Sequence, residues 1–401
     1  MSTHHTDPRS HLHARAGLTV GLLIAVLASA CGGSSGDAAA PTGEGTGAAA
    51  TTPTEAAPEA ASTSPARVGA EGFEQVFAAV EGLDGDARAA ELARLVEEEG
   101  SELTLYTSMN AEVAEAVAEA FGAAFDIDVE LYRSDQLTMS QRIVEEVNAG
   151  VVGGDVVESS GLEMVNKSRS GVLVPYTPTY ADELLDGSVY DGWIATRLIQ
   201  FVVSWNTENV SSEEVPTAWE DLAHDRWNGR IALEAKDVDW YKLIWEYWVE
   251  EEGKTPEEAD ELFRQIADGA RVQEGHSAGG ELVAAGELDL FASNFRYIVE
   301  RSIESGAPVA WEPPVEPIAV QPNGVGMIKN AAHPAAAVLF VDWILGPEGQ
   351  ELLVEHNLSP TRVDVTPPHG ELELLIPDLE GMMDEFNEWE GRYNELLRLA
   401  G

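Results

Sequence analysis

The feature that most constrains this fold is an alternation of strand and helix patterns between residues 102 and 158. Residues 102–107 (ELTLYT) carry a strand signal, and Ser108 or Asn110 can cap the helix that follows. In that helix Val113, Val117, Ala120, Phe121 and Ala124 share one face. A second strand is expected at 128–132 (DVELY), a second helix at 137–148 and a third short strand at 155–158 (DVVE). The βαβαβ order implies a parallel sheet with helices on both faces, hence an α/β fold.

The flanking segments extend the plan. Residues 71–99 have helical spacing interrupted by Gly82 and Gly85, which predicts two short helices. The run 198–205 (LIQFVVSW) suits a strand passing between lobes, and Trp219, Leu222 and Trp227 mark a packed loop before RIALE (230–234) opens another α/β unit. Helices are expected at 237–251, 256–267 and 277–285, with a strand at 288–292. Pro308, Pro313, Pro314 and Pro317 make 306–320 too proline-rich for an interior element, so it reads as an extended return crossing. A strand at 324–328 (GVGMI), helices opening at Pro334 and Pro347, and acidic helices with Leu375, Met382, Met383, Phe386, Tyr393, Leu396 and Leu397 as apolar contacts complete the chain. A length of 401 residues accommodates two lobes, and there is no internal repeat.

Charge narrows the range of partners. The 71 acidic residues outnumber the 23 basic ones, giving a formal net charge of −48. Such a surface repels nucleic acid and anionic headgroups and suits a protein kept soluble at high salt. The single cysteine, Cys31, excludes an intrachain disulfide and every Cys-pair metal or redox motif. Arg9 and Arg15 precede an uncharged stretch, 16–30, that ends in Ala28, Ser29 and Ala30 just before Cys31. Residues 1–30 therefore read as a secretory signal resembling that of a bacterial lipoprotein, with Cys31 as the lipidated residue. Residues 31–66, rich in Ala, Gly, Ser, Thr and Pro, read as a disordered tether.

The fragments "LTLYTS", "VELYRSDQL", "RIVEEVNAG", "GDVVESS", "AWEDLAHDRWNGRIALE", "GHSAGGELVAAGELDL", "GAPVAW" and "NAAHPAAAVLFVDWILGPEGQELL" follow one another in order. Together, over about 89–399, they resemble the ferric-iron-type solute-binding proteins of bacterial ABC importers. The resemblance implies a two-lobed type II periplasmic-binding-protein fold, a solute held between the lobes and delivery to ABC permease subunits. The expected plan is lobe 1 at 67–200, lobe 2 at 201–319, a return to lobe 1 at 320–365 and a C-terminal helical segment at 366–401. A monomer anchored outside the cell membrane by its N-terminal lipid is expected, with no cofactor.

Iron-binding relatives offer a tyrosine pair, a histidine and often a carboxylate. By flanking motifs the pair falls on Phe295 and Arg296, the histidine on Asn110 and the carboxylate near Ser160. A fixed positive charge at Arg296 opposes a trivalent cation, so no metal site is expected and a small organic solute with acid and amine groups is favoured. Asp237 and Asp239 would hold the amine, unless they serve only as helix caps. Thr107, Ser108, Arg133 and Arg296 would hold the acid, unless the arginines merely pair with surface acids. Trp240 can stack on the solute or simply pack. Ferric iron remains an alternative through Tyr241 or Tyr297. Gly275-His276-Ser277-Ala278-Gly279 fits G-x-S-x-G, which keeps a secreted serine hydrolase using Ser277 as a different class. ARVQE (270–274) is too polar for a buried elbow strand, so Ser277 reads instead as a helix cap whose N–H groups face the cleft.

Overall fold

A computed structural model describes residues 69–151, 153–370 and 372–398. The signal, the tether and Cys31 lie outside the described residues. No helix among the described residues is long and apolar enough to cross a membrane.

The predicted parallel unit forms. Strand Glu102–Thr107 pairs in parallel with Asp128–Arg133, Glu102 opposite Asp128 and Thr107 opposite Arg133, and on its other edge with Val156–Ser160. The helices between them start and stop where local chemistry dictates. The Asn110 side chain accepts the Val113 N–H (3.0 Å) at the start of Ala111–Phe125, and Asp135 does the same for Thr138 at the start of Gln136–Ala149. Left-handed Asp126 and Gly150 end these two helices.

Two long strands carry the sheet onward. Ile318–Met327 runs antiparallel to Val156–Ser160 and to Trp193–Asn206. The second part of Trp193–Asn206 pairs with Leu290–Phe295, which lies parallel to Ile231–Glu234, itself parallel to Arg271–Gln273. One continuous path thus joins two α/β halves, and every residue of Trp193–Asn206 is buried. Separate cores lie under the halves. Leu105, Val117, Phe121, Val338 and Phe340 fill one; Trp219, Trp227, Trp240, Trp248, Phe263 and Tyr393 fill the other.

Four expectations are adjusted. The crossing strand is longer than 198–205. The return segment is not irregular throughout, since Ile318 already joins the interior strand; its Pro322 is tolerated because the ladder is irregular between Asn323 and Gly324. The helix expected at 237–251 is α-helical over Val238–Glu246 and widens to a π-turn at Tyr247–Glu251. The acidic end is one helix, Leu379–Leu397.

Candidate functional site

The carboxyl ends of strands from both halves face a cleft of about 1190 Å³. In the second half three buried carboxylates gather where Ile231–Glu234 gives way to helix Val238–Glu246. They are Glu234, Asp237 and Asp239, at 3%, 4% and 7% exposure. Glu234 ends its strand and accepts the backbone N–H groups of Lys236 and Gly275. Asp237 occupies the cap position without making a side-chain cap bond; it faces the His276 imidazole at 3.1 Å instead. Asp239 accepts the Gln321 amide at 2.6 Å and the Trp240 N–H at 3.0 Å.

The electrostatics follow from this crowding. Burial, with Asp237 nearby, pushes the Glu234 carboxyl above its usual range, and the same two causes push Asp239 up to about 6. For His276, burial opposes the imidazolium, but Asp237, Glu234 and Asp239 outweigh it and hold its pKa above the usual value. Its ring stacks on Phe295 at 3.5 Å between centroids, and Tyr297 follows at 6.0 Å from Phe295. The ligand atoms of Glu234, Asp237 and His276 all lie within 4.8 Å of one another, a set able to hold a cation.

The first half contributes Ser108, Asn110, Arg133 and Asp135 to the lining. Arg133 is exposed and donates to the Met109 carbonyl at 3.3 Å. The crossing strands supply Arg197, Gln321 and Asn323, and helix Leu379–Leu397 supplies Phe386, Glu390, Asn394 and Leu397. Burial raises the Tyr297 phenol, against the pull of Arg197 and of a hydrogen bond with Asn110.

Of the expected ligand residues, the structure brings Ser108, Arg133, Asp237 and Asp239 to the cleft. The other four do not line it. Thr107 is fully buried, donating to Glu158 at 2.6 Å and accepting the Met109 N–H. Trp240 packs edge-on against Trp219 and Phe263 in the second core. Ser277 is exposed on helix His276–Ala284, and the neighbouring histidine pairs with Asp237. Arg296 opens helix Arg296–Glu304; its guanidinium donates to Gln200 (2.7 Å) and to the Asn357 carbonyl, behind the cleft, where burial lowers its pKa to about 10. The argument against a metal from a positive charge at Arg296 therefore falls. Of the tyrosines named for iron, Tyr297 lines the cleft and Tyr241 is buried against Phe263 and Tyr393.

Glu234, Lys236, Arg197, Gln321 and Asn323 were absent from the expected set. Glu234 was open to discovery, since ligands gather beyond the carboxyl ends of parallel strands. Arg197 and Asn323 were not, because they sit inside crossing strands whose sequences read as structural.

A family model described as bacterial extracellular solute-binding protein matches residues 164–375. Iron uptake protein A1 of Synechocystis sp. is 26% identical over 282 residues, covering 65% of this chain and 75% of its own. Among solved structures, iron-bound HitA from Pseudomonas aeruginosa superposes with a TM-score of 0.62 at 18% identity, covering 74% of this chain and 99% of its own. AfuA from Actinobacillus pleuropneumoniae with fructose-6-phosphate bound gives 0.62 at 20%, covering 75% and 99%.

Proposed function

The chain belongs to the bacterial extracellular solute-binding proteins and has the two-lobed type II fold of periplasmic binding proteins, and from that premise we propose that it is the extracytoplasmic receptor of an ABC importer. Its cargo is a small organic solute carrying both an amine and an acid. The observation that supports this is the cluster of Glu234, Asp237 and Asp239, three buried carboxylates grouped about the His276 imidazole, which Asp237 contacts. An ammonium group would offset part of the remaining negative charge, and Arg133, which also lines the cleft, would pair with the acid. The proposed mechanism is binding and closure: solute bridging both walls stabilises the closed form, which the permease then reads. Lipid attachment at Cys31 would keep the receptor beside that permease.

Native mass spectrometry of freshly purified protein tests the cargo. A bound amine-bearing acid is the expected adduct; iron alone would overturn the assignment.

Ferric iron is the second reading, favoured by Tyr297 in the cleft and by the convergence of Glu234, Asp237 and His276. Titration with Fe(III) decides it, because phenolate-to-iron colour would appear only if Tyr297 ligates. Among the described residues the cleft presents one tyrosine rather than a pair, and burial raises its pKa.

A further inference from the structure

The floor of the cleft holds two polar atoms that the fold leaves without partners. Arg197 and Asn323 are directly opposite each other on the two crossing strands, and both side chains line the cleft. They are only 3% and 7% exposed, yet Arg197 Nε and Asn323 Oδ1 make no hydrogen bond. Burying a polar group without a partner is costly, so an orphan donor and an orphan acceptor on facing residues call for a reason.

The surroundings hold the two atoms in place. The Arg197 guanidinium is anchored by its outer nitrogens, one to Glu158 at 2.5 Å and one toward Thr196 at 3.5 Å, which leaves Nε over. Glu158 is itself fully buried and bonded to Thr107, so the arginine's charge is already balanced. The Asn323 carbonyl accepts from Thr196, and the ladder breaks register between Asn323 and Gly324, the kind of irregularity that re-aims a side chain. Gly324 is required there: a Cβ would meet the Ile194 carbonyl at 2.2 Å. Gln321, two residues earlier on the same strand face, already donates to Asp239 in the cleft lining.

We infer that Arg197 and Asn323 form a hydroxyl-binding subsite, Nε–H donating to the oxygen of a solute hydroxyl while that hydroxyl donates to Asn323 Oδ1. Because the ion pair with Glu158 cancels the arginine's charge, the matching group is neutral and both donor and acceptor, which an acid or an ammonium is not. The inference rests on the cleft being where solute sits and adds a hydroxyl to the proposed cargo.

Glycerol, which has hydroxyls but neither acid nor amine, tests the subsite separately from the cargo's charged groups. Crystals of the unliganded protein should show an ordered water bridging Arg197 Nε and Asn323 Oδ1, and glycerol soaking should replace it with a hydroxyl oxygen. A direct bond between the two side chains, a dry floor, or a water that glycerol never displaces would each overturn the subsite. Asn323→Leu should lose the glycerol density while its Tm stays equal to or above that of the parent, since an unpaired acceptor has been removed. A lowered Tm would mean that Asn323 is structural and would overturn the inference. A cargo lacking an amine would sink the charge assignment and leave this subsite standing.

Discussion

At the scale of single residues, the second-half carboxylates set a measurable pH response. Asp239 titrates near 6 in the folded protein against an ordinary 3.8, so between these values the folded state binds the extra proton. Its ionisation penalty is absent below about pH 3.8 and complete above about 6, and stability falls as pH rises through that window. The shift corresponds to about 3 kcal/mol. Asp239→Asn keeps an acceptor for Gln321 and should flatten this slope, which urea midpoints measured from pH 4 to 7 would show. His276 acts in the same sense, since its raised pKa adds stability that is fully present below its ordinary 6.5 and is lost as pH rises through the folded value. Phe295 and Arg296 show where reading residues from sequence runs out. The strand ends at Phe295 and the helix begins at Arg296, so the backbone changes period between them. One ring stays in the cleft beside His276 while the guanidinium turns to Gln200, and flanking motifs carry no record of that turn.

At the scale of elements, the last described helix, Leu379–Leu397, buttresses the site. Tyr393 donates to the backbone carbonyl of Glu234 at 2.6 Å and stacks on Tyr241, fixing the strand end from which the Glu234 side chain projects. Tyr393→Phe removes this buried hydrogen bond and should cost about 1 kcal/mol in urea unfolding. An unchanged midpoint would show that the bond contributes nothing. The parallel strands and their helices were legible in the sequence because period and capping residues agreed, as at Asn110. Helix Pro256–Ala267 was equally plain, opened by Thr255 with Glu258 closing a capping box. The reach of the crossing strands was hidden. Pro322 argues against an interior strand, and only the local irregularity beside it makes the placement workable.

At the scale of the whole molecule, the net charge of −48 repels itself in dilute buffer. At 0.1 M salt the screening length is about 10 Å and at 1 M about 3 Å, so added salt should relieve the strain. Calorimetry is expected to show Tm rising between 0.1 and 2 M NaCl, and a falling Tm would contradict adaptation to salt. The joint between the two halves has a consequence of its own. Trp193–Asn206 is covered along its full length, so its peptide bonds are sheathed from proteases. Nicking can reach surface turns such as 251–253 and 363–364, and a molecule cut there would remain clasped together by an intact ribbon through its middle.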